Sequence, residues 1–391
     1  MPKRTIRLYL LFTAITNLGM SFIMATYAMF LISRGLNLFE VNLVNFVFFT
    51  TLFLCEIPTG VFADVFGRKP SFVVSCFLLS LSMFIYALSS SFLGFVLAEI
   101  IGAIGTTFAT GAFQAWLVDK LKSQKYTGSL GPIFSKEQQI WAGAGIIGAI
   151  AGAFLADKNI AFPWVASGVV MSLAGVLAVI FIREEGFVRQ SFSLKRNLEI
   201  MGKTVKVSVR YGLSNKAVRF ILLIGVFHAF AIQAPNMQWQ VFFSQFLNNK
   251  ISLGFIFGGI AICLIIGAIF SPRFFHKEKR ALIISQLVVG VGLITAALSN
   301  LFPVALAMFL LHEAARGFSA PLKNTYLNNN IPSQERATLI SFESMARHLG
   351  GMAGLIFSGL VAEQISVPAA WIFSGGILIT ATLWLARNGK T

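Results

Sequence analysis

The sequence has 391 residues, of which 56% are hydrophobic and only 12% are charged, and its mean hydropathy is +0.78. A soluble globular domain carries about 25% charged residues, so this composition excludes that class and predicts a polytopic membrane protein. The formal net charge of +16 does not indicate nucleic-acid binding, because the lysines and arginines fall in loops between apolar runs and face anionic lipid there. We therefore expect membrane lipids, and no nucleic acid, as partners.

Twelve apolar runs follow one another along the chain, and each is long enough to cross a bilayer as a helix. A hydrocarbon core of ~30 Å requires about 20 apolar residues, and a helix satisfies its own backbone hydrogen bonds there. We number these predicted spans 1 to 12 in chain order: 7–33, 39–63, 71–90, 92–119, 134–156, 162–182, 218–245, 251–271, 281–299, 301–322, 337–362 and 367–386. The predicted fold class is an all-α membrane protein with twelve transmembrane helices.

The distribution of cations predicts the orientation in the membrane. With the N-terminus inside, the inner segments hold 26 of the 31 lysines and arginines, and the outer loops hold only Arg34, Lys158 and Lys250. Cytoplasmic loops are the ones enriched in lysine and arginine. We therefore predict a multi-pass protein of the plasma (inner) membrane with both termini in the cytoplasm.

One long polar segment, 183–216, divides the chain into an N-terminal bundle of six spans (1–182) and a C-terminal bundle of six spans (217–391). Apolar and basic residues alternate within this segment in a way that predicts an amphipathic helix on the inner membrane surface. A flexible linker over part of it is an equally good interpretation. The two halves also resemble each other weakly, since Glu99 in span 4 and Glu313 in span 10 hold the same place.

A specific motif closes span 2. The residues from Gly60 to Lys69 read G-x-x-x-D-x-x-G-R-K, with the tight turn at Gly67 leading directly into span 3. This pattern resembles the signature of the major facilitator superfamily, which lies between the second and third helices of those transporters. The segments 56–60 (EIPTG) and 115–119 (AWLVD) are similar to its exporters of drugs and small molecules. The resemblance implies two pseudo-symmetric six-helix bundles around a central cavity.

The same resemblance implies a gate made of residues at the inner ends of the helices. In this chain they are Gly60, Asp64, Gly67, Arg68, Lys69 and Asp119. Gly60 is expected to let span 2 approach a neighbour closely, Asp64 to accept hydrogen bonds from the start of span 11, and Arg68 to reach Asp119. These contacts would close the inner side in one state of the transporter and break in the other.

Ionisable residues inside spans are the strongest candidates for the transport site, because each costs at least ~2.5–3.5 kcal/mol in the middle of a membrane helix. The candidates are Glu56, Glu99, Glu313, Arg316, Glu343 and Arg347. Glu313 and Arg316 are three residues apart, and Glu343 and Arg347 are four apart, so each pair shares a helix face. A static ion pair between helices is the alternative interpretation, and Glu99 could also reach outward to the interface.

Neutral polar and aromatic residues complete the predicted cavity. Asn236 and Trp239 in span 7, and Asn17 and Tyr27 in span 1, place amides and rings on spans that line the cavity in the family that the chain resembles. Aromatic residues with a few amides suit amphipathic or aromatic solutes. The spans hold no cluster of arginines of the kind that a phosphate or dicarboxylate carrier would need.

These features predict a secondary active transporter that moves a small organic solute by alternating access, with proton-coupled export as the first hypothesis. A symporter or facilitator for a nutrient or lipid-like solute, and a membrane sensor that does not transport, are the alternatives. The sequence has no nucleotide-binding loop, no metal-ligand spacing and no nucleophile elbow. We therefore expect no enzymatic activity, no cofactor and no metal, and we expect a monomer.

Overall fold

The computed structural model describes residues 2–184, 215–331 and 336–388, and the regular elements in those ranges are helical. Fifteen α-helices, numbered here α1 to α15, occupy them: Pro2–Ser21, Tyr27–Ser33, Leu38–Phe66, Arg68–Leu88, Phe92–Ala109, Ala112–Ser123, Gly131–Lys158, Phe162–Phe181, Lys216–Ala231, Gln233–Ser244, Ile251–Phe270, Glu278–Leu298, Phe302–Asn330, Arg336–Gln364 and Val367–Asn388. A 3-10 helix, Ser271–Lys277, joins α11 to α12. Most of the central segment, for which we predict an amphipathic helix, lies outside the described residues.

The helices match the twelve predicted spans and confirm the all-α class. Within the described ranges, nine helical stretches are long and apolar enough to cross a membrane, and one of them, Ile251–Leu298, contains two spans. The helices of spans 1 and 10 are not both long and apolar enough to be included. Span 1 is divided between α1 and α2, and span 10 carries His312, Glu313 and Arg316 in its middle.

Spans 1, 4 and 7 are each broken into two helices. The break in span 4 falls at Gly111, whose φ of +72° is a left-handed conformation that favours glycine. The break in span 7 falls at Ile232, three residues before Pro235, which lacks an N–H and whose ring displaces the carbonyl four residues earlier. Span 1 is interrupted by turns at 22–26. These residues include no proline or glycine from which the break could be predicted.

The chain folds into two compact units. Within the described residues, unit 1 comprises 2–36, 44–184 and 247–258, and unit 2 comprises 37–43, 215–246, 259–331 and 336–388. In unit 1, α1 packs on α7, and α4 packs on both α5 and α8. In unit 2, α9 packs on α14, and α12 packs on both α13 and α15. The first, third, fourth, fifth and sixth spans of each half are therefore paired in the same way, as expected for pseudo-symmetric bundles.

Glycine permits the same close helix packing in both units. A Cβ at Gly152 on α7 would overlap the backbone carbonyl of Phe22, and a Cβ at Gly354 on α14 would overlap the backbone carbonyl of Phe230. Small residues at such positions let two membrane helices approach backbone to backbone. The fifth span of each half is thus held against the first by the same device.

Candidate functional site

Glu313 and Arg316 of unit 2 lie one helical turn apart on α13. Glu313, with only 2% of its surface exposed, accepts a hydrogen bond of 2.7 Å from Arg316 Nη1 through its Oε1 atom. The same Arg316 nitrogen donates to Asn236 Oδ1 at 3.0 Å. Asn236 lies on α10, in the first turn after the break of span 7. The structure therefore brings three of the predicted cavity residues into one cluster, with Trp239 buried on the same short helix.

His312 belongs to this cluster, although it is not among the residues predicted from the sequence. Its side chain is fully buried, its Nδ1 atom lies 2.9 Å from the Val289 carbonyl oxygen, and its Nε2 atom lies 3.8 Å from Glu313 Oε1. The ring of Phe309 stacks on the imidazole, with centroids 5.9 Å apart. The sequence signal was a histidine next to a carboxylate within a span, which is weak on its own.

In the second predicted pair of unit 2, Glu343 lies closer to Lys323 than to its predicted partner, Arg347. Glu343 Oε1 lies 2.7 Å from Lys323 Nζ and 3.7 Å from Arg347 Nε. Lys323 lies one residue beyond the predicted end of span 10 at 322. In the structure α13 continues to Asn330, so Lys323 remains on the helix and reaches Glu343 on α14. The ion pair of Glu343 with Lys323, which joins two helices, is therefore shorter than the predicted pair of Glu343 with Arg347 within α14.

In unit 1, the buried Glu99 accepts its hydrogen bond from a tyrosine rather than from a cation. Tyr27 Oη donates to Glu99 Oε1 at 2.7 Å, Asn45 Nδ2 donates to Tyr27 Oη at 3.3 Å, and Tyr86 Oη lies 3.4 Å from Tyr27 Oη. The indole of Trp164 stacks on Tyr86 with centroids 4.1 Å apart. Glu99 is 7% exposed, so the alternative in which it reaches outward is wrong.

A cavity of about 460 Å³ lies within unit 1, inside the range of 300–1,000 Å³ typical of small-molecule sites. Its wall combines aromatic rings with hydroxyl and amide groups: Tyr9, Phe72, Phe113, Trp141, Thr13, Thr16, Ser75, Thr106, Thr110, Asn17 and Gln114. Asn17 Nδ2 donates to the Trp141 carbonyl oxygen. Asn17 therefore lines this cavity as predicted for a site residue, whereas Tyr27 belongs to the cluster around Glu99.

One carboxylate, Glu137, also lines the unit 1 cavity. It accepts a hydrogen bond of 3.2 Å from Gln114 Nε2, which is a neutral donor. Glu137 is not among the residues predicted from the sequence; it lies at the start of span 5, next to the exposed Lys136.

The signature loop forms a compact set of contacts in unit 1. Arg68 Nη2 pairs with Asp64 Oδ1 at 2.7 Å, so Asp119, which we expected to be its partner, does not hold it. A Cβ at Gly60 would meet no atom within 4 Å, so the close approach expected there is absent from this structure. The contact from Asp64 to the start of span 11 stays a prediction.

A residue outside the motif holds the turn of the signature loop. Gly67 has φ of +112° and precedes α4. Glu184, just after α8, accepts hydrogen bonds from Arg68 N at 3.2 Å and from Lys69 N at 2.6 Å. Lys69 Nζ in turn donates to the Val179 carbonyl oxygen at 2.8 Å. Glu184 thus caps α4. This contact could not be predicted from the sequence without knowing that the end of α8 lies next to the start of α4. Glu56, in contrast, is exposed on α3.

These observations define a class of protein: a helical membrane protein of two repeated units, with buried charges on its membrane helices and no group of residues that could hold a metal ion in the part of the chain that the structure describes. Residues 9–277, and again residues 219–390, match the model of the Major Facilitator Superfamily. The chain belongs to that superfamily, and it is a secondary transporter rather than an enzyme.

Known proteins similar to the chain agree with this assignment. It is 26% identical over 364 residues to the Uncharacterized MFS-type transporter YxaM of Bacillus subtilis, covering 92% of this chain and 90% of that one. It is 24% identical over 337 residues to Multidrug resistance protein 2 of the same organism, covering 82% and 79%. Among solved structures, the nucleoside transporter NupG superposes with a TM-score of 0.81 at 14% identity, covering 99% of both chains, which shows a shared fold alone.

Proposed function

We propose that this transporter exports small amphipathic or aromatic organic molecules from the cytoplasm in exchange for protons. The single observation that carries the proposal is the buried pair of Glu313 and Arg316 on α13. A carboxylate with 2% exposure in a membrane helix is stable only with a partner, and such residues mark ion and substrate pathways.

Proton coupling follows from the chemistry of this pair. While Glu313 is ionised, it holds Arg316 by a hydrogen bond of 2.7 Å. A proton on Glu313 removes the charge that attracts the guanidinium, and Arg316 then keeps only its bond to Asn236. Because Asn236 lies directly after the break in span 7, this exchange of partners offers a way to couple a proton to a change in helix position.

The solute class is inferred from the cavity of unit 1. Its volume of about 460 Å³ suits a molecule of drug size. Four aromatic residues provide apolar faces, while threonine hydroxyls and the amides of Asn17 and Gln114 provide hydrogen bonds. Export is favoured over uptake by the similarity to Multidrug resistance protein 2. Cytoplasmic termini and two bundles separated at 183–216 are part of the same proposal.

Dye accumulation in everted membrane vesicles tests this function. With an acidic lumen, wild-type vesicles should accumulate ethidium or a rhodamine dye, and Glu313→Gln, which mimics the protonated carboxyl group, should abolish accumulation while leaving dye binding intact. Glu40→Gln is the matched control, since Glu40 only accepts a hydrogen bond from Asn37 N at the start of α3. Wild-type vesicles that accumulate neither dye would reject the solute class. Proton-driven accumulation by Glu313→Gln would reject the coupling role.

A further inference from the structure

Two hydrogen-bond acceptors face each other inside unit 2. The Val289 carbonyl oxygen can only accept, so the Nδ1 atom of His312, 2.9 Å away, must carry a hydrogen. In the neutral ring the Nε2 atom then presents a lone pair. It lies 3.8 Å from Glu313 Oε1, which also presents lone pairs when the carboxyl group is ionised. Neither His312 Nε2 nor Glu313 Oε2 has a hydrogen-bond partner among the described residues.

We propose that His312 and Glu313 form a binding site for a single proton, which they share. One proton enters, no covalent bond between heavy atoms breaks, and the lone pair of a Glu313 oxygen accepts it. The resulting O–H group donates to His312 Nε2, while the Nδ1–H group of the same ring donates to Val289. One donor now lies between two atoms that repelled each other before.

The surroundings of the pair favour a fixed geometry. Both side chains are almost completely buried, and the Phe309 ring lies nearly parallel to the imidazole, at 11°. Phe309 itself stacks on Trp371 of α15. The imidazole is therefore held between Val289 on α12 and an aromatic wall. A small rotation about the terminal torsion of Glu313, which is broad, is enough to shorten 3.8 Å to a hydrogen bond.

Other ionisable groups set the charge around this site. Arg316 lies on the same helix and opposes an added positive charge. His228 of α9 is close enough to interact with His312, and its Nδ1 atom lies 2.7 Å from Gln286 Oε1. Cys263 of α11 interacts with Glu313. Because Arg316 is the nearest cation, a proton on the pair should weaken its bond to Glu313 first.

The role of this proton site in coupling rests on the proposed function, but proton binding itself requires no solute. The proposed function involves Glu313 alone, whereas the present inference adds His312 as the second member of the proton site. Asparagine at position 312 can keep the donor to Val289, because its amide nitrogen replaces Nδ1, while it removes Nε2 altogether. The variant therefore deletes one acceptor and leaves Glu313 and Arg316 in place.

Infrared spectra of the purified, reconstituted protein, recorded as a function of pH, test the inference. Wild type should show a carboxyl C=O band that is absent in Glu313→Gln. In His312→Asn that band should titrate at a pH at least about one unit lower, since a tenfold change is the loss of roughly 1.4 kcal/mol expected for one buried hydrogen bond. His276→Asn, at an exposed position of the 3-10 helix, is the control and should leave the midpoint near its wild-type value. An unchanged midpoint in His312→Asn, or no band that depends on Glu313, would overturn the proposal.

A second measurement keeps the test independent of how well His312→Asn folds. In protein with ¹⁵N-labelled histidine, one of the four imidazoles should show a shift of its unprotonated nitrogen signal, as this nitrogen becomes a hydrogen-bond acceptor, at the pH where the Glu313 band appears, and Glu313→Gln should change that titration. Four imidazoles that all titrate identically in wild type and Glu313→Gln would also overturn the proposal. If the infrared and nitrogen titrations agree but no dye accumulates in vesicles, the proton site is present and the proposed solute is wrong.

Discussion

Replacement of Glu184 by alanine should release the first turn of α4 and, with it, the signature loop. Glu184 accepts hydrogen bonds from the backbone N–H groups of Arg68 and Lys69. These two N–H groups belong to the first turn of a helix, where no carbonyl within the helix is available to them. Glu184→Ala removes both acceptors and the negative charge at the positive end of the helix dipole.

The size of the effect follows from those two contributions. Loss of a capping side chain costs about 1 kcal/mol, and loss of a negative charge near a helix N-terminus costs a further 0.3–1 kcal/mol, roughly. Together they amount to about 1–2 kcal/mol of local stability, which is roughly a 5- to 30-fold change in the population of the open form. Glu184→Gln keeps one acceptor oxygen and should give a smaller change.

Hydrogen–deuterium exchange measures this local opening directly, because amide exchange reports the free energy of opening each segment. Peptides that contain residues 66–72 should exchange about 5- to 30-fold faster in Glu184→Ala, while peptides from α13 should not change. Glu137→Ala is the matched control, since that carboxylate accepts a hydrogen bond from the side chain of Gln114 and, among the described residues, caps no helix. Wild-type exchange at 66–72 in Glu184→Ala would refute the assignment of Glu184 as the cap.

Three further predictions concern packing, the buried carboxylate of unit 1 and the topology. Gly152→Ala should lower the thermal midpoint of unfolding, because the new Cβ overlaps the carbonyl oxygen of Phe22, just after α1. Gly143→Ala on the same helix meets no atom within 4 Å and should be neutral or stabilising. Equal midpoints would contradict the packing argument. Tyr27→Phe and Glu99→Gln should each destabilise the protein by about 1 kcal/mol, as expected for one hydrogen bond. Their effects should not add, since both remove the same 2.7 Å contact. Additive losses in a double-mutant cycle would show that the contact contributes nothing. A cysteine at Lys250 should react with an impermeant maleimide in intact cells, with sites in the predicted cytoplasmic loops as unreactive controls, and protection of Lys250→Cys would reverse the predicted orientation.

Apolar length and the signature motif were sufficient to predict the fold class. A run of about 20 apolar residues has few structural options in a bilayer, so the twelve spans could be located from the sequence alone. The break in span 7 also had a visible cause in Pro235. The break between α1 and α2 had none, because residues 22–26 contain no proline or glycine.

The partners of the charged residues were harder to predict, for a physical reason. Spacing along one helix identifies Glu313 and Arg316, because residues three apart share a face. It cannot identify the contact of Lys323 with Glu343, or that of Glu184 with the start of α4, since both join different elements. The role of His312 depends on the carbonyl oxygen of Val289, a backbone group that every residue possesses and that no sequence pattern reveals.

The break at Gly111 has a consequence for how selectivity in this protein would change under mutation. Thr110 and Gly111 line the cavity of unit 1, and α6 begins at Ala112 with no side chain capping its first turn. The first amide groups of that turn have no carbonyl available to them within the helix, so they are main-chain hydrogen-bond donors. No point substitution other than proline deletes such a donor, and no change of pH ionises it. Under the proposed function, variants that acquire new solutes should therefore differ in the ring and hydroxyl side chains around the cavity, while these main-chain donors stay the same in all of them.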